Sequence, residues 1–79
     1  MRKTIMPLNQ CEPGISAKVL ALRLSGQKRR RMLDLGLIPE TIVKTLQRSP
    51  SGDPTAYLIR GTVIALRSED AKKIMVESL

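Results

Sequence analysis

Apolar positions along the chain fall in short blocks, spaced by two residues in some and by three or four in others, and each spacing predicts an element. Leu8 and Cys11 stand three apart ahead of Pro13-Gly14, which predicts a short helical turn capping a core. Over residues 17–24 apolar side chains occur at both parities, with Ala17, Val19 and Ala21 on one face and Leu20, Leu22 and Leu24 on the other. This predicts a strand buried on much of both faces, with Lys18 and Arg23 escaping at its ends. Ser25-Gly26 interrupts the strand and offers an N-cap. Residues 27–35 then read as a short helix, Lys28, Arg29, Arg30 and Arg31 preceding Met32, Leu33 and Leu35. A helix this short holds only by packing those apolar residues on a sheet. Gly36 fits its C′ position and Pro39 bars continuation. Arg30 and Arg31 lie four and three residues before Asp34, a spacing worth ~0.2–0.5 kcal/mol per pair.

Beyond the helix the period returns to two. Residues 41–48, with Thr41, Ile42, Val43 and Thr45, read as a strand. Two prolines and a glycine make residues 49–54 a turn, and residues 55–60 the next strand. Gly61-Thr62 predicts a tight reversal into a strand over 63–67. Ser68-Glu69-Asp70-Ala71 carries cap-type residues for one helical turn, and residues 73–77 form a last strand with Ile74 and Val76 alternating. About five short strands with one inserted helix cannot leave long open edges without inviting aggregation. Closure into a small SH3-like barrel filled with aliphatics is the economical solution.

A chain of 79 residues has room for one domain, here residues 1–79. Tyr57 is the single aromatic residue, so the core is built from Leu, Ile, Val and Met. The absence of His and the single Cys exclude a disulfide framework, zinc-finger spacings and His-dependent nucleophilic catalysis. No cofactor and no enzymatic activity are expected. The net charge of +7 favours an acidic partner, whether nucleic acid, an anionic membrane surface or an acidic protein. The lone thiol suits a reducing compartment, the N-terminus lacks a signal-type apolar run, and no apolar stretch spans a bilayer. The expected location is therefore the cytoplasm.

Cys11 has neither a base nor companion ligands and reads as a small core residue. The carboxylates are isolated or, as in Glu69-Asp70, point apart, so neither acid–base work nor metal binding is expected of them. Lys28-Arg29-Arg30-Arg31 stands above background, either as a solvated face or as a docking element for an acidic protein surface. The lack of Phe and Trp to stack bases disfavours nucleic acid, leaving phosphate-only RNA binding as the alternative. The sheet also carries more apolar residues than one buried face per strand needs. Some of Leu20, Leu22, Ile42, Leu46, Leu58 and Ile64 must lie under the helix, under the N-terminal turn or in solvent. The exposed ones, with Leu58 foremost, are expected to form a docking patch beside the basic helix.

The segment Arg30-Arg31-Met32-Leu33-Asp34-Leu35-Gly36-Leu37-Ile38-Pro39 resembles the R-x-L-x-D-L-G-L-x-P-G signature of the FeoA family, the small ferrous iron transport protein A. The resemblance extends to Ser49-Pro50-Ser51-Gly52-Asp53-Pro54, similar to A-P-L-G-D-P, and to Arg60-Gly61-Thr62-Val63-Ile64-Ala65-Leu66-Arg67, similar to R-G-x-x-L-A-L-R. Glu69, Ala71, Ile74 and Val76 follow the pattern, and Leu8, Cys11 and Pro13-Gly14 match the L-x-x-L-x-P-G opening with Cys in an apolar slot. The chain departs at Glu40, where the family has Gly, and at Thr45 and Ser51. Ser51 replaces an exposed apolar residue at the turn tip.

The resemblance implies a free-standing SH3-like barrel in the bacterial cytosol. It would be an accessory of FeoB, the membrane transporter with a cytosolic G domain that imports Fe(II), and would reach the inner face of the membrane only through that partner. Related domains end iron- and manganese-responsive repressors. Without a winged-helix segment ahead of the domain, that role is not expected here. The partner-binding residues expected are Lys28, Arg29, Arg30, Arg31 and Leu58. The motif residues Leu35, Gly36, Leu37, Pro39, Gly52, Asp53, Pro54 and Gly61 are expected to be structural.

Overall fold

The computed structural model describes residues 4–79. In chain order the elements are β1 (Ile5–Pro7), a 3₁₀ turn (Leu8–Gln10), β2 (Ser16–Leu22), α1 (Gly26–Asp34), β3 (Ile42–Arg48), β4 (Thr55–Ile59), β5 (Thr62–Leu66), α2 (Ser68–Ala71) and β6 (Ile74–Ser78). The strands form one sheet in the order β1-β6-β2-β3-β4-β5, antiparallel throughout. The mainly β architecture with an inserted helix is the one the sequence predicts.

Period-two patterning decides what each strand buries. Ala17 and Val19 of β2, Val43 and Thr45 of β3, Thr55, Tyr57 and Ile59 of β4, and Ile74 and Val76 of β6 point inward. Leu66 of β5 joins them, and Leu8, Cys11, Leu24, Met32, Leu37 and Ala71 close the core from the connecting elements. Arg48 Nη2 donates to the carbonyls of Asn9 (3.4 Å) and Cys11 (3.3 Å), fixing the N-terminal turn on β3. Burial pushes the Cys11 thiol and the Tyr57 phenol above their ordinary pKa values.

Helix α1 ends in a Schellman motif. The Leu37 N–H donates to the Met32 carbonyl and the Gly36 N–H to the Leu33 carbonyl, both at 3.0 Å. Gly36 has φ +100°, which the motif needs and a side chain resists. The reversal drops Leu37 into the core beside Met32. The segment after it then docks on β2, Glu40 N–H donating to the Val19 carbonyl and Val19 N–H to the Thr41 carbonyl.

Three sequence expectations are corrected. The strands number six among the described residues, because Ile5–Pro7 pairs with β6. Strand β2 is buried on one face only, and a register shift between Val19 and Ala21 turns Ala21 outward. The reversal into β5 sits at Arg60-Gly61, both with positive φ, rather than at Gly61-Thr62. This is the primed two-residue turn that matches strand twist. Among the described residues β1 and β5 stand at the two ends of the hydrogen-bonded strand order.

Candidate partner-binding surface

Helix geometry divides the basic run. Residues spaced by three and four share a face, so Gly26, Arg29, Arg30, Leu33 and Asp34 line one shallow groove on the outer side of α1. Arg31 lies on another face, with Met32 and Leu35, looking across a second groove to Ile64, Ala65, Leu66, Arg67 and Asp70. Lys28 is engaged: its Nζ lies 3.3 Å from Asp70 Oδ1, tying α1 to α2. Arg29, Arg30 and Arg31 are exposed and form no ion pair among the described residues. The predicted pairing of Arg30 and Arg31 with Asp34 is thus not made. Exposed pairs gain so little that solvated arginines compete on equal terms.

Leu58 is half-buried on the outer face of β4, directly opposite Lys44 of β3 and Val63 of β5. Neither groove along α1 includes it. Of the six surplus apolar residues, Leu22 and Ile64 pack against the core, Leu20, Leu46 and Leu58 are half-buried, and Ile42 is exposed at 46%. The exposed apolar surface includes two residues that sequence reasoning did not single out, Val63 (61%) and Ile38 (37%). Ile38 and Ile42 flank a groove with Pro39, Glu40, Thr41 and Arg60. Glu40, at the position where the signature has Gly, adopts φ +80°, and its carboxylate lies 3.6 Å from Lys18 Nζ.

Gly52, Asp53, Pro54 and Gly61 lie in turns. Gly61 completes the β4–β5 turn, and residues 49–54 fold back on themselves through the Gly52 N–H to the Ser49 carbonyl and the Ser49 N–H to the Pro54 carbonyl. The peptide bond between Asp53 and Pro54 is cis. Asp53 Oδ1 accepts the Ser68 N–H at 2.8 Å and caps α2 from a different part of the chain. Ser68 Oγ in turn accepts from Asn9 Nδ2 at 3.0 Å. Cys11 is buried in the core, as its apolar spacing predicts. Among the described residues no three of His, Cys, Asp and Glu converge on a metal-sized site, and no helix is long and apolar enough to cross a membrane.

Residues 6–78 match the family model of the FeoA domain. The Fe(2+) transport protein A/Fe(2+) transporter FeoB fusion protein of Porphyromonas gingivalis is 33% identical over 72 residues, which cover 91% of this chain and 8% of that protein. This chain therefore corresponds to a small part of that relative's length. The solution structure of a FeoA-like protein from Clostridium acetobutylicum superposes with a TM-score of 0.87 at 34% identity, covering 100% of this chain and 91% of that one. FeoA of Stenotrophomonas maltophilia complexed with zinc, described as an SH3 domain protein, gives a TM-score of 0.78 at 28% identity, covering 90% and 88%.

Proposed function

The chain belongs to the FeoA family, and from that premise we propose that it is a non-catalytic accessory of ferrous iron uptake that docks on the cytosolic part of an FeoB-type transporter. The observation that carries the reading is the pairing of two facts. A relative joins a transport protein A segment and an FeoB transporter in one polypeptide, and this chain presents Arg29, Arg30 and Arg31 to solvent with no ion pair among the described residues. Fusion imposes a high effective concentration between the joined parts, an arrangement useful where two separate chains must otherwise find each other. A cationic helix supplies the search term: an acidic face on the transporter steers encounter and fixes orientation. Leu58, opposite Lys44 and Val63 on the outer face of β4, adds a separate apolar contact. The protein works in the cytoplasm, at the inner membrane face, through this contact.

Pull-down of the transporter in detergent, and separately of its isolated G domain, tests the reading. The chain should retain the transporter at low salt and lose it in the triple variant Arg29→Glu, Arg30→Glu, Arg31→Glu, with the melting temperature unchanged. Equal retention by the wild-type chain and the variant would refute the assignment of the arginines.

A further inference from the structure

We propose that the free edge of β5 is a strand-addition site for an extended, acidic segment of a partner protein. The two ends of the sheet are not alike. Strand β1 is three residues long and ends in Pro7, both of which blunt an edge. Strand β5 is five residues long, Thr-Val-Ile-Ala-Leu, with no charge, no proline and no bulge in its ladder with β4. An edge of that kind is a template for another strand unless something covers it.

The backbone groups that face outward follow from the turn. A two-residue hairpin places a hydrogen-bonded pair next to its loop, here Ile59 and Thr62, and pairs alternate from there. Thr62, Ile64 and Leu66 therefore bond β4, while the N–H and C=O groups of Val63 and Ala65 point away from it. No backbone group of β5 bonds anything outside the β4 ladder among the described residues.

Charge selects the occupant. The groove along this edge, about 220 Å³, has Arg31, Met32 and Leu35 of α1 as its far wall and Ile64, Ala65 and Leu66 as its near one, with Arg67 and Asp70 at its end. Asp70 is already held by Lys28 at 3.3 Å, so Arg31 and Arg67 set the sign of the site. A second copy of this chain would bring the same cations against its own, on a molecule of net charge +7. A segment alternating carboxylates with apolar residues meets both needs: its backbone extends the sheet, its apolar side chains face Leu35 and Ile64, and its carboxylates reach the guanidinium groups. The inference deepens the transporter reading, on which it rests for the identity of the protein that supplies the strand.

The test uses the ¹⁵N-labelled chain and two blocked synthetic peptides, one alternating valine with glutamate and one alternating valine with lysine. The glutamate peptide should slow amide exchange at Val63 and Ala65 and shift their resonances; the lysine peptide should do neither. Ala65→Pro removes an outward N–H without touching the β4 ladder and should weaken the glutamate peptide about fivefold. The double variant Arg31→Glu, Arg67→Glu leaves the backbone alone and should reverse the peptide preference, which keeps the site testable if proline disturbs the strand. Unchanged exchange at Val63 and Ala65 under saturating peptide would overturn the proposal. So would protection there that rises with protein concentration and needs no peptide, since the occupant would then be a second copy. Peptide binding at this edge without any retention of the transporter would sink the transporter reading alone. Retention of the transporter that is indifferent to Ala65→Pro would sink the edge alone.

Discussion

Removing the Asp53 carboxylate tests how the chain secures α2, a single turn whose N-cap residue, Arg67, has no side-chain cap of its own. Asp53 Oδ1 supplies the acceptor from the β3–β4 turn, 2.8 Å from the Ser68 N–H. Loss of a cap costs about 1 kcal/mol, and up to about 2 where the acceptor is charged and well aligned. Asp53 is exposed, which places Asp53→Ala near the lower figure. For 79 residues the unfolding entropy near 60 °C is on the order of 170 cal/mol/K, so 1 kcal/mol lowers the melting temperature by about 6 °C. Asp53→Asn keeps an oxygen acceptor but gives up the charge, and should lose roughly half as much. The turn itself survives, since Ser51 Oγ donates to the Asp53 carbonyl (2.9 Å) and the Gly52 N–H to the Ser49 carbonyl (2.8 Å). Thermal unfolding by circular dichroism gives the global figure and amide exchange at Ser68 the local one. If Asp53→Ala melts within about 1 °C of the wild-type chain and leaves the Ser68 amide protected, the capping argument fails.

Leu37→Ala should destabilise the protein by about 2–5 kcal/mol, measured by urea denaturation, because Leu37 is fully buried where the Schellman turn delivers it; a loss below 1 kcal/mol would mean that the site collapses around the smaller residue. Alkaline stability follows from the two raised groups, whose ordinary values are 9.0 for Cys11 and 10.0 for Tyr57. As pH rises through those values the unfolded chain releases protons that the folded chain still holds, so stability is full below about pH 9 and falls above it. Cys11→Ala, melted under reducing conditions, should delay the onset of that fall, and an unchanged profile would show that the thiol does not contribute. Reversing Arg29, Arg30 and Arg31 together should abolish ferrous iron accumulation by cells while leaving the purified chain folded. Accumulation at the wild-type level would detach the helix from function. Titration with single-stranded RNA should show weak binding; a log–log salt slope near −3, the value for about four phosphate contacts, would revive the RNA alternative.

Much of the fold is readable from residue spacing, and the failures have specific causes. Strands β3, β4 and β6 announce themselves through alternation, and the α1 stop through Gly36 followed by Pro39. Strand β1 hides because Ile5-Met6-Pro7 is too short to alternate and exists through its long-range pairing with Glu77, Val76 and Met75. The register shift in β2 defeats parity counting, since one irregularity between Val19 and Ala21 exchanges the faces beyond it. The β4–β5 turn shifts by one residue because Arg60 accepts a left-handed conformation (φ +51°) that sequence statistics assign to Gly, Asn or Asp. On the surface, the cations of α1 are visible in the sequence, but their division between two faces depends on where the helix lies on the sheet. The open edge of β5 depends on strand order, which no local pattern carries.

The turn, cap and core residues of the family motifs are separate from the residues free to meet a partner, although Arg30 and Arg67 fall on motif positions and face solvent, and this bears on where binding specificity lies. Gly36, Leu37, Asp53 and Gly61 are each committed to a turn, a cap or the core. A side chain already spent on folding has little left to offer another surface: Leu37 would have to leave the core, and Asp53 would have to release Ser68. Arg29, Arg30, Arg31, Arg67 and Val63 carry no such obligation, since they are exposed and no charge within the described residues pairs with these arginines. Two chains can therefore share the turn, cap and core residues of the motifs and the same fold yet present unlike charges on α1 and beside β5. Exchanging residues 29–31 and 67 between two relatives that differ there should transfer partner preference without transferring stability. Replacing Gly36, Leu37 or Asp53 should alter stability and leave preference where it was.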